Sequence, residues 1–146
     1  MRKRAWIAAL GLVGLGEALY MLAYTAGWVD HLWCPLFGSG CDRVGRSKAA
    51  THFGVPNSAA GAVYYATTTT LALWAADAAP HQKRLPIATL GATSALAVAA
   101  SAYLVWAQAA RVRAFCFWCL TSSGVNAALA LLTIPDSLRA LKFSSP

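Results

Sequence analysis

Four cysteines are the residues of this chain best suited to chemistry, and they form two pairs. Cys116 and Cys119 are separated by Phe and Trp in FCFWC, a C-x-x-C spacing that opens an apolar run. At a helix start, unpaired N–H groups and the helix dipole favour a thiolate, which makes the first cysteine the better nucleophile. The second cysteine lies one turn deeper and can close a disulfide with the first. The spacing therefore indicates a redox-active dithiol.

The other pair, Cys34 and Cys41, lies in the turn-rich segment WCPLFGSGCDRV. Thiol–disulfide exchange proceeds through mixed disulfides, so a loop pair can pass electrons between the C-x-x-C pair and a partner protein. Two alternatives remain open at this point. The cysteines could form two static disulfides, or a tetrahedral zinc site that His31 or His52 could join.

The elements that must position these thiols are membrane helices. Of the 146 residues, 58% are hydrophobic and only 12% are charged, whereas soluble domains carry about a quarter charged residues. Four apolar windows have the roughly 20 residues that a spanning helix needs: about 5–29, 57–76, 85–107 and 115–134. We therefore expect an all-α integral membrane protein of one domain over residues 1–146. Its fold would be a four-transmembrane-helix bundle with a cysteine-bearing loop between the first and second helices.

The charge distribution predicts an orientation and argues against nucleic acid as a partner. The net charge is +7, but the basic residues are scattered in short groups between apolar runs, as expected near lipid headgroups. A cytoplasmic N-terminus places seven basic residues inside and five outside. Counting crossings then puts all four thiols on the extracytoplasmic side, where disulfides persist.

Several motifs, taken in order, resemble the vitamin K epoxide reductase family, including its bacterial disulfide-forming homologues. After the loop cysteines come CDRVGRS (Cys41–Ser47), FGVPNSAAGAVYY (Phe53–Tyr65), SAYLVWA (Ser101–Ala107) and FCFWCLTSSGVN (Phe115–Asn126). This resemblance implies a quinone-linked thiol oxidoreductase whose helix bundle surrounds the quinone. It also implies a bacterial inner membrane as the location.

The resemblance also implies roles for individual residues. Cys119 would meet the quinone, Cys116 would exchange with Cys41, and Cys34 would exchange with an external thioredoxin-like protein. Asn57 matches an asparagine of the family that hydrogen-bonds a quinone carbonyl. Tyr65 matches a tyrosine on a quinone-side helix, and Ser47 matches a serine that supports the loop. Ser123 stands where vertebrate members have a tyrosine that reaches the other carbonyl, and its hydroxyl is shorter. Phe115 and Trp118 are expected to line the quinone site because aromatic residues commonly line ligand pockets.

The expected substrate is a membrane quinone such as ubiquinone, menaquinone or vitamin K, with no metal. We expect no fused thioredoxin-like domain, and therefore a separate thioredoxin-like partner. One alternative keeps the chemistry but reduces vitamin K epoxide or vitamin K quinone, as vertebrate members do. A non-enzymatic alternative is a four-span scaffold stapled by disulfides or zinc. Glu17, an acid within the first window, could carry a proton for quinone reduction, but we interpret it as a packing residue remote from the thiols.

Overall fold

The computed structural model describes residues 2–77 and 82–142, and these residues are mostly helical. Five α-helices, α1 to α5, appear in chain order: Arg2–Thr25, Gly40–Gly45, Asn57–Asp77, Arg84–Ala107 and Phe117–Lys142. A π-helical segment, Gln108–Val112, continues α4. Between α2 and α3 lie a 3₁₀ turn, Lys48–Ala50, and two short strands, β1 (Thr51–His52) and β2 (Val55–Pro56).

The four long helices pack in two close pairs. α1 lies mainly against α3, and α4 mainly against α5, while α1 also contacts α5 and α3 contacts α4. Ile7 and Ala8 of α1, Tyr65 and Ala72 of α3, and Leu129 of α5 belong to one buried apolar cluster. This cluster joins three of the four helices and leaves a cavity toward the end of the bundle that carries the cysteines.

Within the described residues, three helical stretches are long and apolar enough to cross a membrane: Arg2–Thr25, Arg84–Val112 and Phe117–Lys142. At most a third of each apolar window is buried inside the protein, so large apolar side chains such as Leu12, Leu85 and Leu131 face outward. Exposed apolar surface on this scale suits contact with lipid. The predicted second window, 57–76, coincides with helix α3 but is not among these three stretches.

Two helix ends differ from the sequence-based windows. α1 ends at Thr25 rather than near residue 29, because Gly27 has a left-handed φ of 79° and forms a Schellman motif. In this motif the N–H of Trp28 donates to the carbonyl of Ala23 and that of Gly27 to Tyr24. At the other end of the bundle, α5 continues to Lys142 rather than ending near residue 134.

The extension of α5 passes through Pro135, which lacks the N–H that a helix interior normally uses. Ion pairs hold this last part of the helix against the start of α1. The Asp136 carboxylate accepts a hydrogen bond from Lys3 Nζ at 2.8 Å and lies 3.6 Å from Arg4 Nη2. This basic end of the bundle is the end opposite the cysteines.

A short cap covers the cysteine end of the bundle between α1 and α3. It consists of α2, the 3₁₀ turn and the hairpin of β1 and β2, in which His52 pairs with Val55. The two turn residues, Phe53 and Gly54, both have positive φ, at 54° and 80°, as a type I′ hairpin turn requires. The hairpin leads directly into α3, so the cap fixes the position of Asn57 at the start of that helix.

Candidate active site

The loop cysteines are joined: Cys34 and Cys41 form a disulfide with their Cα atoms 5.8 Å apart. Cys41 lies in α2 and is fully buried, whereas Cys34 is partly exposed. Asp42, the next residue, accepts a hydrogen bond at Oδ1 from the N–H of Leu32 at 3.0 Å. That backbone hydrogen bond lowers the pKa of the Asp42 carboxyl, although burial opposes the shift. The charged carboxylate therefore helps to order the loop that carries the disulfide.

Two hydrogen bonds of the Trp33 backbone attach the segment before Cys34 to α1 and α5. The Trp33 N–H donates to the hydroxyl oxygen of Tyr20 at 3.0 Å, and its carbonyl accepts a hydrogen bond from Trp118 Nε1 at 2.7 Å. Trp118 is one of the two residues between Cys116 and Cys119. The indole of the C-x-x-C motif therefore positions the backbone next to the loop disulfide.

Cys116 and Cys119 are free thiols in the structure. Cys116 immediately precedes α5, so the sequence-based expectation of a cysteine at a helix start is confirmed. The Cys116 Sγ accepts a hydrogen bond from the N–H of Cys119 at 3.4 Å. The thiol of Cys119, followed by the N–H groups of Cys119 and Trp118, lowers the pKa of the Cys116 thiol against the opposing effect of burial. This direction agrees with the expectation from the sequence that Cys116 is the better nucleophile of the pair.

Gln108 holds the backbone of Cys116 in place. Its Oε1 accepts a hydrogen bond from the N–H of Cys116 at 2.7 Å, and the two residues are 2% and 0% exposed. Gln108 begins the π-helical segment that follows α4, and its carbonyl also accepts from the N–H of Ala114. The segment between α4 and α5 is therefore anchored at Gln108 just before the C-x-x-C pair.

The two cysteine pairs lie in one apolar cluster at the same end of the bundle. Cys41 and Cys116 are buried members of this cluster, and Cys34 and Cys119 pack against it. Gly40 explains how closely the two segments approach, because a Cβ at this position would collide with the carbonyl oxygen of Phe115. Glycine therefore lets the start of α2 lie directly against the backbone that leads into Cys116.

A cavity of about 450 Å³ lies beside Cys119 and is bounded by all four long helices and by the cap. Its size falls within the roughly 300–1,000 Å³ of small-molecule pockets. Most of its lining is apolar or small, for example Leu96, Ala97 and Leu104 of α4. Five of the residues expected at the quinone site line it: Cys119, Asn57, Tyr65, Trp118 and Ser123.

The orientation of the Asn57 amide is fixed by two neighbours. Its Nδ2 donates to the carbonyl of Ala49 at 2.7 Å, and its Oδ1 lies 2.9 Å from His52 Nδ1. Because the amide oxygen can only accept, His52 Nδ1 must donate the proton. These two contacts leave one N–H of the Asn57 amide without a protein acceptor. Asn57 also lines the cavity. This arrangement suits a ligand with a carbonyl oxygen.

Tyr65 and Ser123 line the cavity with hydroxyls that already donate to protein acceptors. Tyr65 donates to Oδ1 of Asn126 at 2.8 Å, and Ser123 donates to the carbonyl of Cys119 at 2.8 Å. Both hydroxyl oxygens keep the capacity to accept. The amide nitrogen of Asn126 donates to Ser101 Oγ on α4 at 2.8 Å, so Asn126 links α5 to a neighbouring helix.

Two of the predicted residues do not line the cavity. Phe115 precedes α5, and its ring lies 5.9 Å from the ring of Phe37 in the loop. Ser47 follows α2, and its hydroxyl donates to the carbonyl of Val44 at 2.7 Å. Phe115 thus packs on the segment that links the loop cysteines, and Ser47 supports the end of the helix that bears Cys41.

Sequence reasoning missed several polar residues at the cavity, among them Gln108, Ser58 and Ser122. The hydroxyl of Ser58, next to Asn57, is buried and has no hydrogen-bond partner. Ser122 donates to Oε2 of Glu17 at 2.8 Å, so Glu17 lies close to the thiols rather than remote from them. The one available signal was the presence of polar side chains within otherwise apolar helices.

The described residues, 2–77 and 82–142, contain no group of three or more candidate metal ligands. Because Cys34 and Cys41 are disulfide-bonded, they offer no thiolates to a metal in this state. The second pair is a dithiol, so the alternative of two static disulfides does not describe this state either.

A helical protein with membrane-spanning segments and a disulfide beside a free dithiol has the features of a membrane thiol oxidoreductase. The family model of the vitamin K epoxide reductase family matches residues 5–134. The chain therefore belongs to the vitamin K epoxide reductase family, and the resemblance stated from the sequence is confirmed. Members are generally oxidoreductases that use quinone-type substrates. No curated protein matches the chain.

Proposed function

We propose that this protein transfers electrons from a partner dithiol, through the two cysteine pairs, to a membrane quinone. The net result is disulfide formation in the partner. The observation that carries the proposal is the pairing of an oxidised loop disulfide with a reduced C-x-x-C dithiol in one cluster. The deeper thiol of that dithiol, Cys119, borders the cavity.

Three exchange steps account for the electrons. First, the Cys116–Cys119 dithiol is oxidised to a disulfide while a quinone gains two electrons and two protons. Second, Cys41 attacks Cys116 of this disulfide, and Cys34 then resolves the mixed disulfide. Third, a partner dithiol reduces the loop disulfide through the partly exposed Cys34. The state in the structure, with the loop oxidised and the C-x-x-C pair reduced, is the product of the second step.

The quinone site in this proposal is the cavity beside Cys119. Its apolar walls suit a lipid-soluble ring, and the free N–H of Asn57 suits one carbonyl oxygen. Tyr65, Trp118 and Ser123 would complete the wall. The Ser123 hydroxyl can bond the second quinone carbonyl only if that carbonyl lies close to α5, because its side chain is short.

All four long helices cross the membrane in this proposal, with the N-terminus in the cytoplasm. The 21 residues of α3 extend roughly 30 Å at 1.5 Å per residue, which matches the hydrocarbon core. The basic residues at the end opposite the cysteines agree with a cytoplasmic location for that end. The cap and both cysteine pairs would then face the extracytoplasmic side, where a separate thioredoxin-like protein can reach Cys34.

Purified protein in lipid nanodiscs tests the proposal directly. It is supplied with a reduced thioredoxin-like protein and with ubiquinone, menaquinone or vitamin K analogues, and quinol formation is followed by absorbance. Wild-type protein should form quinol, and Cys119→Ser should not. Thr121→Val is the matched control, because this α5 hydroxyl donates to the Phe117 carbonyl of its own helix and does not line the cavity. Absence of quinol from wild-type protein with every quinone would refute the proposal.

Vitamin K epoxide is a second candidate substrate, because its carbonyls can also accept from the Asn57 amide. The dithiol would then reduce the epoxide to the quinone, with release of water. The same assay with vitamin K epoxide as the sole acceptor separates the two. Turnover of the epoxide as fast as that of the quinones would replace the first candidate, and Asn57→Ala should raise the KM for either substrate.

A further inference from the structure

The carboxyl of Glu17 is buried in the middle of a membrane-spanning helix. The residue is 7% exposed, and α1 is apolar on either side of it. Among the described residues, no salt bridge reaches this carboxyl. Its hydrogen-bond partner is the hydroxyl of Ser122, which donates to Oε2 at 2.8 Å. An acid at this depth costs several kcal/mol when charged, so its position calls for a role.

Ser122 connects Glu17 to the cavity. Ser122 lines the cavity wall, and it lies three residues after Cys119, one helical turn along α5 and on the same face. The Ser122 carbonyl also lies 3.3 Å from the hydroxyl of Tyr65, which holds this part of α5 against α3. A hydroxyl can accept a proton on one side while it gives one up on the other, so Ser122 can pass a proton between Glu17 and a ligand in the cavity.

We infer that Glu17 and Ser122 form a proton relay between the Cys119 thiol and the quinone oxygen. The inference rests on the proposed function. Two S–H bonds break and one S–S bond forms, while the quinone gains two electrons and two O–H bonds; the relay accounts for the proton of Cys119, and the thiol of Cys116 supplies the other. In the relay, neutral Glu17 gives its proton through Ser122 to a quinone oxygen. The resulting carboxylate then takes the proton that Cys119 releases, so Glu17 ends the cycle unchanged.

The surroundings of Glu17 suit this role. The titratable groups that interact electrostatically with the carboxyl are Tyr65 from α3 and Cys119 from α5. Tyr65 keeps its proton on the hydrogen bond to Asn126, so Cys119 is the neighbour that releases a proton during the reaction. The carboxyl is buried, and the single hydroxyl of Ser122 separates it from the cavity, so Ser122 offers a short path for a proton between Glu17 and a ligand.

Two substitutions of Glu17 separate a proton relay from a packing role. Glu17→Gln keeps the shape and an oxygen that accepts from Ser122, but it cannot carry a proton. Glu17→Asp changes the shape and shortens the side chain, but it keeps a titratable carboxyl. A packing role predicts that Gln is the milder change, whereas a relay predicts that Asp is.

The experiment measures single-turnover quinol formation after reduced protein is mixed with a short-chain ubiquinone in nanodiscs. Glu17→Gln and Ser122→Ala should each slow this step by about 10²-fold, the lower range of general acid–base contributions, with little change in KM. Glu17→Asp should be at least about tenfold faster than Glu17→Gln. Thr133→Val is the matched control, because its buried hydroxyl donates to Leu129 of its own helix, and it should react like wild type. Thiol exchange between the two cysteine pairs, which involves no quinone, should keep its rate in every variant and so reports correct folding.

Each outcome decides a different point. If wild-type protein forms no quinol, the proposed function fails and the relay fails with it. If wild type is active but Glu17→Gln reacts within about threefold of it, the relay alone is refuted. An Asp variant as slow as the Gln variant also refutes the relay, because the shape of the side chain would then matter more than its proton. Should Glu17→Gln fail to fold, Ser122→Ala decides alone: a rate near that of wild type rejects the relay, and a slow rate supports it.

Discussion

Replacement of Gln108 should loosen the start of α5 and expose Cys116. Gln108 Oε1 accepts from the N–H of Cys116 at 2.7 Å, and both residues are almost completely buried. In Gln108→Met the side chain has a similar length but only a weak acceptor, so the N–H loses its partner. An unpaired buried donor costs about 1–3 kcal/mol. At tenfold for each 1.4 kcal/mol, local opening should become about 5–150-fold more frequent.

The rate at which a neutral maleimide alkylates Cys116 reports this opening. It is measured in a background in which Cys116 is the only cysteine, so that no disulfide competes. Gln108→Met should raise the rate by a factor within the range above. Ser101→Ala is the control, because it removes a hydrogen bond to Asn126 elsewhere on the cavity wall and should leave the rate unchanged. An unchanged rate in Gln108→Met would show that Gln108 does not hold the nucleophile in place.

Two further predictions concern the cap. Gly40→Ala should slow thiol exchange between the pairs by at least about tenfold, because the new Cβ collides with the Phe115 carbonyl and separates the segments. Gly16→Ala meets open space and should have no effect; equal rates in both variants would contradict this packing argument. The hydrogen bond from Leu32 lowers the pKa of Asp42 in the folded protein. The charged carboxylate therefore stabilises the fold above the pKa that Asp42 has in the unfolded chain, and this stabilisation is lost as the pH falls through its folded pKa. Asp42→Ala should therefore lower the thermal stability of the cap at neutral pH and have little effect in strong acid, and a loss that is equal at both pH values would argue against it.

The sequence allowed the main features of the fold and of the thiol chemistry to be predicted. Long apolar runs predict helices because lipid requires every backbone group to be paired within the helix. The C-x-x-C spacing predicts a nucleophile at a helix start, and Cys116 lies there. The helix ends were less predictable. Gly27 ends α1 through local hydrogen bonds, and Asp136 holds the end of α5 through ion pairs with residues about 130 positions earlier.

The polar contacts between different helices around the cavity could not be predicted, because they join residues that are distant in sequence. The contact between Glu17 and Ser122 spans 105 positions, and the contact between Trp118 and Trp33 spans 85. Hydropathy treats each of these residues as an isolated exception within an apolar run. Only the packing of α5 against α1 and against the loop shows which of these residues meet.

The state of the disulfides in Cys119→Ser protein tests the electron path most directly. With Cys119 gone, the thiolate of Cys116 attacks Cys41 of the loop disulfide, which forms a Cys41–Cys116 bond and releases Cys34. Non-reducing peptide mapping by mass spectrometry should detect that bond, while the matched Cys116→Ser variant should show no link between Cys41 and Cys119. A Cys119→Ser protein that keeps Cys34 bonded to Cys41, with Cys116 free after prolonged incubation, would contradict transfer between the two pairs.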